Sequence, residues 1–307
     1  MKIVYLGTPD FAVLPLEKIY SMKGYEIIGV VTNRDKPVGR KQILTPPPVK
    51  VKALEMGLPI FQYDKIRLEG VEDLKALNPD IMITCAFGQI LSQDILDIPK
   101  LGVINIHASL LPKYRGASPI NYAILNGEKS TGVTIMKTDI GIDTGDMIYK
   151  EEISIGEEET AGELFERLSV LGAECIEKVL IDLLKGKMPL IKQNDSEATY
   201  TKIIKKETAK IDFFKSAKEV VNTIRAFNPS PIAYTYLNGE IFKIYSAKET
   251  SESGKPGTVV FSDKRLVVAC GEGAVELLKV QKCGGKPLLI KDFLAGNKLP
   301  LGTEFKC

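Results

Sequence analysis

Short apolar runs alternate with amphipathic segments along the first two thirds of the 307-residue chain. Buried-type runs predict strands at residues 2–6, 27–31, 81–85 and 101–105, with helical patterns between them. Two more strands are predicted at residues 132–137 and 147–155. Because strands that alternate with helices form βαβ units, the pattern predicts an α/β fold with a mostly parallel sheet.

One long helix follows these strands. Thr160 and Glu163 form a capping-box pattern, in which the two side chains satisfy free N–H groups of the first turn. The helix is predicted to end near Gly186 and Pro189, since glycine and proline terminate helices. Its apolar stripe recurs every three or four residues and consists of Leu164, Leu168, Leu171, Cys175, Val179 and Leu183.

The last third of the chain changes to short alternating runs, which predict strands at residues 233–237, 241–247, 257–261, 266–270 and 274–280. Turn-forming pairs such as Asn238-Gly239 separate the runs, which is typical of a small β-barrel. We therefore predict a Rossmann-like domain over residues 1–189, a basic linker over residues 190–210 and an OB-like C-terminal β-barrel over residues 211–307.

Composition narrows the class of protein. Hydrophobic residues make up 44% of the chain and charged residues 26%, which is ordinary for globular domains. The five cysteines form no CxxC pair and there is one histidine, so no metal site is expected. No apolar stretch reaches about eighteen residues, so no membrane partner is expected. An odd number of thiols without a secretory signal favours a reducing cytoplasm.

Charge is distributed unevenly. The net charge is +2, but residues 206–307 carry 16 lysines and arginines against 11 acidic residues. A basic C-terminal part predicts a polyanionic partner held by that end of the chain. A solvated surface without a partner is the alternative reading of the same pattern.

The only histidine, His107, lies with Asn105 at the carboxyl end of the predicted strand 101–105. Ligands and chemistry collect at this edge of an open α/β sheet. Residues two apart on an extended chain point to the same side, so the amide and the imidazole would face one point in space. That pair suits the stabilisation and protonation of an oxyanion during acyl transfer.

A glycine-rich acidic turn at residues 139–146 follows the predicted strand 132–137. One of its three aspartates, Asp139, Asp143 or Asp146, is a candidate partner for the imidazole, because a histidine that must be protonated favours a neighbouring carboxylate. A calcium loop is a weaker reading, since the EF-hand spacing lacks its final glutamate. A plain surface turn is the remaining alternative.

Three other segments give weaker indications of function. Residues 7–11 lack the GxGxxG pattern after the first strand, so NAD or FAD binding is not expected. Cys85 ends an apolar strand, which favours a buried, inert thiol over a nucleophile. The segment 33–49 is long, basic and without a clear pattern, and it reads either as a mobile loop over an active site or as an idle surface loop.

Several motifs resemble the 10-formyltetrahydrofolate-dependent formyltransferases, and among them the methionyl-tRNA formyltransferase family. The resemblance runs nearly end to end. It rests on GTPDFA at residues 7–12, NIHASLLPKYRGASPI at 105–120, GIDTGD at 141–146, KKETAKIDF at 205–213 and IRAFNP at 224–229. One departure lies in the basic loop, where Gln42 and Ile43 occupy two positions that are lysines in the family.

The resemblance implies a formyl transfer from 10-formyltetrahydrofolate to the α-amino group of methionyl-initiator-tRNA, without a metal. We further expect the protein to be a cytoplasmic monomer. It implies Asn105, His107 and Asp143 as catalytic residues. The implied folate pocket comprises Ala86, Phe87, Gly88, Ile90, Ser109, Leu110, Leu111, Pro112, Asp139, Ile140 and Ile142. The implied tRNA contacts are Lys36, Arg40, Lys41, Lys205 and Lys206.

Three alternatives stay open. A sugar-nucleotide N-formyltransferase or a 10-formyltetrahydrofolate hydrolase would share the same three catalytic residues. The lysines of the linker and barrel favour a tRNA substrate over either of them. A non-catalytic folate- or RNA-binding protein is the third alternative.

Overall fold

The computed structural model describes residues 1–39 and 41–306, which form two compact units. The first unit comprises Met1–Gly116, Thr131–Ile153 and Phe165–Thr201, and the second comprises Ala117–Ser130, Ser154–Leu164 and Lys202–Cys307. The predicted boundaries at residues 189 and 210 stay predictions. The first unit, however, keeps the chain as far as Thr201, well into the segment that we interpreted as a linker.

The helices and strands up to residue 201 follow in chain order. They are β1 (Lys2–Gly7), α1 (Val13–Ser21), β2 (Glu26–Thr32), β3 (Lys36–Val38), β4 (Ile43–Thr45), α2 (Pro48–Glu55), β5 (Ile60–Gln62), α3 (Ile66–Glu69), α4 (Val71–Leu77), β6 (Ile81–Cys85), α5 (Gln93–Leu96), β7 (Val103–His107), β8 (Arg115–Gly116), α6 (Pro119–Leu125), β9 (Ser130–Lys137), β10 (Met147–Ser154), α7 (Ala161–Leu184) and β11 (Tyr200–Thr201).

The main sheet has seven strands in the order β10-β9-β7-β6-β1-β2-β5. The five strands from β7 to β5 pair in parallel with one another, and β9 runs antiparallel to β7. This arrangement confirms the predicted Rossmann-like, mostly parallel sheet. Residues of β1, β2 and β6, among them Leu6, Val31 and Met82, are buried in one apolar cluster, which fixes the carboxyl ends of the strands.

Two local predictions needed correction. The strand that carries Asn105 and His107 begins and ends two residues later than predicted, so both residues lie inside β7. The segment 33–49, for which no strand was predicted, contains the two short strands β3 and β4, and these pair antiparallel. Strand β5 was not predicted at all, since it is only three residues long and half-buried.

The capping box at Thr160 is confirmed, and it begins α7. The backbone N–H and the hydroxyl of Thr160 both donate to the Glu163 carboxylate, while the backbone N–H of Glu163 donates to the Thr160 hydroxyl at 3.3 Å. These bonds lower the pKa of the Glu163 carboxyl, the backbone bond contributing most. Ser216 and Glu219 repeat the same motif in the second unit.

The second unit contains an antiparallel sheet. Its remaining elements are α8 (Ala217–Ala226), β12 (Ala233–Leu237), β13 (Glu240–Thr250), β14 (Val259–Ser262), β15 (Leu266–Ala269), β16 (Ala274–Lys282), β17 (Leu288–Leu289), α9 (Ile290–Gly296) and β18 (Phe305–Lys306).

The sheet order is β14-β15-β16-β13-β12-β18, with β17 beside β16. Thr258 forms an antiparallel bridge with Glu304, so the segment leading into β14 pairs with the segment leading into β18. The predicted C-terminal barrel is thereby confirmed. Its interior is apolar, and the Phe242 ring packs against those of Phe293 and Phe305, with centroids 5.5 and 5.4 Å away.

Candidate active site

Asn105 and His107 lie on β7, two residues apart and therefore on the same face of the sheet. Strand β6 runs parallel beside them and places Thr84 next to Asn105. The Thr84 hydroxyl donates to the Asn105 side-chain oxygen at 2.9 Å. Because the oxygen is engaged, the amide NH₂ of Asn105 faces away from Thr84 and is available as a donor.

Asp143 reaches the same place from the turn between β9 and β10. Its backbone lies in the left-handed region, with φ at +51°. One carboxylate oxygen lies 3.4 Å from the amide nitrogen of Asn105. The other accepts a hydrogen bond from the backbone N–H of Gly116 at 2.8 Å. The turn therefore folds back so that its carboxylate lies over β7.

The His107 ring is buried between two oxygen atoms. Its Nε2 lies 3.0 Å from the carbonyl oxygen of Tyr114, and its Nδ1 lies 3.6 Å from the Asp143 carboxylate. A carbonyl only accepts, so Nε2 carries a hydrogen and Nδ1 is the nitrogen that faces Asp143. The imidazole is thus held in one orientation, with one nitrogen directed towards the carboxylate.

The structure brings together the three residues that the sequence nominated for catalysis. The Asp143 carboxylate lies 3.4 Å from the amide nitrogen of Asn105 and 3.6 Å from Nδ1 of His107. Their side chains differ in exposure, since 6% of the His107 side chain and 19% of that of Asp143 are accessible. Such a set can stabilise an oxyanion and move a proton beside it.

The nominated folate residues fall into two groups. Exposed apolar side chains form the first, with 72% of Ile90, 72% of Ile140 and 66% of Ile142 accessible. Ala86, Gly88 and Asp139 are also exposed, and Leu110 and Pro112 are half-buried. In contrast, the side chains of Phe87, Ser109 and Leu111 are buried, and Phe87 belongs to the core of the sheet.

The nominated tRNA residues that the structure describes are exposed. Lys36 lies on β3 and Lys41 in the turn that follows it. Arg40 lies outside the described residues. Lys205 and Lys206 belong to the second unit and are exposed as well.

Three residues of the site were missed from the sequence. Thr84 orients the amide of Asn105, and the N–H of Gly116 binds Asp143. Gln193 donates from its side-chain nitrogen to the carbonyl oxygens of Asp143 and Gly145, at 2.8 and 2.7 Å. Thr84 lies one residue before the end of its strand, a signal that sequence reasoning could have used. Nothing in the polar segment around Gln193 distinguishes it.

Cys85 lies beside the site and is fully buried. Burial raises the pKa of its thiol to about 12, and a hydrogen bond with Tyr5 only partly offsets this. A thiolate nucleophile is therefore disfavoured there. Within residues 1–39 and 41–306, no group of three or more His, Cys, Asp or Glu side chains is arranged to hold a metal ion. Over the same residues, no helix has the length and apolarity needed to cross a bilayer.

Residues 1–180 match the formyl transferase family, and residues 203–298 match the formyl transferase C-terminal domain. The first match contains the Asn105–His107–Asp143 site and the second contains most of the barrel. The class of protein is thus that of the formyl transferases.

Similar sequences place the chain more narrowly within this class. The methionyl-tRNA formyltransferase of Geobacter metallireducens is 46% identical over 306 residues, which cover 99% of this chain and 98% of the relative. That of Bacillus subtilis is 45% identical over 306 residues, covering 98% and 96%. This chain belongs to the methionyl-tRNA formyltransferase family.

Solved structures share the fold at lower identity. An N-formyltransferase from Helicobacter canadensis, in complex with folinic acid and dTDP-3-aminofucose, superposes with a TM-score of 0.69 at 23% identity. It covers 92% of this chain and 100% of its own. HypX from Aquifex aeolicus, in complex with tetrahydrofolic acid, gives a TM-score of 0.64 at 18% identity over 100% of this chain and 50% of its own.

Proposed function

We propose that the protein transfers the formyl group of 10-formyltetrahydrofolate to the α-amino group of methionyl-initiator-tRNA. The product is N-formylmethionyl-tRNA, used to begin translation, so the cytoplasm is the proposed location. The observation that carries the proposal is the convergence of Asn105, His107 and Asp143 in a chain that matches methionyl-tRNA formyltransferases over almost its whole length.

In the proposed reaction the methionyl amine attacks the formyl carbon and forms a tetrahedral oxyanion. The amide NH₂ of Asn105 donates to that oxygen, while Thr84 holds the amide in the required orientation. A preorganised donor of this kind lowers the barrier by about 3 kcal/mol. Collapse of the intermediate breaks the bond to the folate nitrogen, which must gain a proton as the amine loses one.

His107 and Asp143 manage those two protons in the proposed mechanism. The Nδ1 atom of His107 is the ring nitrogen not engaged with Tyr114. In the proposed step the imidazole acts in its doubly protonated form, gives its Nδ1 proton to the departing folate nitrogen and regains one from Asp143. The Asp143 carboxylate orients the imidazole and accepts the proton of the amine through a water molecule. No covalent enzyme intermediate is needed.

The folate ring is proposed to bind against the exposed apolar side chains of Ile90, Ile140 and Ile142. Apolar groups so exposed favour a planar ligand over solvent. Ala86, Gly88, Asp139, Leu110 and Pro112 would complete the wall. The buried side chains of Phe87, Ser109 and Leu111 support the wall from beneath, and Ser109 does so through its hydroxyl, which donates to the carbonyl of Lys113 at 2.7 Å.

The tRNA is proposed to contact exposed basic residues of both units. Lys36 and Lys41, together with Arg40, belong to the segment around the β3–β4 hairpin, and Lys205 and Lys206 precede the barrel. Ile43 and Leu44 of the same hairpin are 60% and 64% exposed, so this segment presents aliphatic side chains as well as charge. A monomeric state stays a prediction.

One assay tests the proposal. The purified protein is incubated with 10-formyltetrahydrofolate and, in separate reactions, with methionyl-initiator-tRNA, an amino-sugar nucleotide or no acceptor. We expect formylation of the charged tRNA only. Formylation of the sugar would indicate a sugar-nucleotide N-formyltransferase, and release of formate without an acceptor would indicate a hydrolase. No reaction in any arm, with folate still bound, would indicate a binding protein.

A further inference from the structure

The chain between residues 191 and 201 threads through the first unit beside the candidate site. Ile191 forms an antiparallel bridge with Met147, directly after the acidic turn. Strand β11 pairs in parallel with β8, placing Tyr200 beside Arg115. Between these two anchors lies Gln193, whose side-chain NH₂ donates to the carbonyl oxygens of Asp143 and Gly145. This side chain therefore spans the turn that carries the catalytic carboxylate.

A buried arginine holds Gln193 in place. The side-chain oxygen of Gln193 accepts from Nε and Nη2 of Arg115, at 3.0 and 2.8 Å. Only 1% of the Arg115 side chain is exposed. Its guanidinium also donates to Asp195 at 2.7 Å and to the Tyr200 hydroxyl at 3.2 Å. Both ends of the Gln193 amide are thus engaged, which leaves it one orientation.

The two neighbours of Arg115 touch the site directly. The carbonyl of Tyr114 accepts from His107, and the N–H of Gly116 donates to Asp143. Arg115 therefore links the segment that positions the imidazole to the segment that positions the carboxylate. Asp143 itself is held at a positive φ, a conformation that costs a non-glycine residue free energy and persists only where surrounding bonds maintain it.

We propose that Gln193 is a positioning residue of the formyl transfer site. Arg115 holds the side-chain oxygen of Gln193, and the side-chain nitrogen of Gln193 then fixes the backbone of the turn that carries Asp143. The expected effect on the reaction rate rests on the proposed function, whereas the hydrogen bonds between Gln193 and the Asp143 turn do not depend on it. Without the amide donor, the turn relaxes and the Asp143 carboxylate moves from His107. Reaction rate then falls, whereas folate and tRNA affinity change little.

The substitution Gln193→Glu separates the two ends of the amide. A carboxylate still accepts from Arg115, so the arginine stays paired, but it cannot donate to the carbonyls of Asp143 and Gly145. Asn194→Asp is the matched control. It makes the same amide-to-acid change one residue along, on an exposed side chain that caps a short 3-10 helix and whose acid form can also accept from Ser196.

Two readouts are measured on each variant. For Gln193→Glu we expect kcat to fall about 10- to 100-fold, since small misplacements of a catalytic group are costly. The KM for each substrate should change less than about threefold, because direct contacts with substrate are retained. His107 is the only histidine, so its ring resonances are unambiguous in an NMR spectrum of the free protein. They should shift in Gln193→Glu and stay unchanged in Asn194→Asp.

The outcomes are distinct. Unchanged kcat and unchanged His107 resonances in Gln193→Glu would overturn the proposal, as would equal losses in Asn194→Asp. If Gln193→Glu does not fold, Gln193→Met removes the donor, together with the oxygen that Arg115 binds, without adding charge, and it must show the same two effects. Should the wild-type protein formylate no tRNA, the proposed function fails, but the shift of the His107 resonances still decides whether Gln193 positions Asp143.

Discussion

Replacement of Asn105 tests the role of the oxyanion donor most directly. In Asn105→Ala the donor is lost while His107 and Asp143 keep their contacts with Tyr114 and Gly116. Removal of a donor that acts mainly in the transition state costs about 3 kcal/mol, or roughly a hundredfold or more in kcat. The KM for folate should change little, because the ground-state carbonyl gains much less from this donor than the oxyanion does.

Two further variants, Asn105→Asp and Thr84→Val, change the surroundings of the same amide and should lower kcat to different extents. Asn105→Asp places a carboxylate where the amide nitrogen lies 3.4 Å from Asp143. Two like charges at that separation repel by about 5 kcal/mol at an effective dielectric constant of about 20, so this variant should be slower than Asn105→Ala. Thr84→Val removes the hydroxyl that orients the amide and that also reaches the Ile104 carbonyl at 3.3 Å. The loss of the orienting bond, about 1 kcal/mol, should lower kcat roughly fivefold.

The assay is the initial rate of formyl-methionyl-tRNA formation at saturating folate, with thermal unfolding of each variant as the control for folding. The expected order of kcat is wild type, Thr84→Val, Asn105→Ala and then Asn105→Asp. If Asn105→Ala kept kcat within threefold of the wild type, the oxyanion role would be wrong. If Asn105→Asp matched the wild type, the proximity to Asp143 would have no electrostatic consequence.

Four further predictions concern both units. His107→Ala should retain folate binding, measured by titration calorimetry, yet lose kcat by orders of magnitude; normal turnover would exclude a catalytic imidazole. Replacing both Lys205 and Lys206 by alanine should weaken tRNA binding and reduce the slope of log Kd against log salt by about 1 per lysine, and an unchanged slope would remove them from the interface. Phe242→Ala should destabilise the protein by about 3–5 kcal/mol in denaturant unfolding, because its ring is buried against two others, and a loss under 1 kcal/mol would contradict that packing. Thr160→Ala should lower the free energy of unfolding by about 1 kcal/mol; no change would mean that the capping box of α7 does not stabilise the protein.

The fold was predictable because its strands are apolar runs with clear ends. Strands β6 and β12 have the bounds that the sequence predicts, since both are bordered by turn-forming residues. Short elements escaped prediction. Strands β3, β4 and β5 have three residues each, too few for a period of two to be recognised, and their pairing supplies the order that their sequence does not.

Site residues with a distinctive side-chain chemistry could be predicted from the sequence. Residues whose role arises only from their contacts in the folded protein could not. A single histidine two residues from an asparagine, and a carboxylate in a glycine-rich turn, are chemical signals in the sequence. Gln193 carries none, because its importance arises from the carbonyls of Asp143 and Gly145, nearly fifty residues earlier in the chain. Likewise, the burial of Ser109 and Leu111 depends on packing between elements, which no local pattern reveals.

The closure of the barrel has a consequence for synthesis on the ribosome. Val259 donates to the carbonyl of Thr303 and Phe305 donates to that of Gly257, so these contacts must wait until residue 305 has emerged. Until then the nascent barrel exposes strand edges at β12 and β14, which are able to pair with other chains. We expect incomplete nascent chains to depend on chaperones more strongly than the finished protein does.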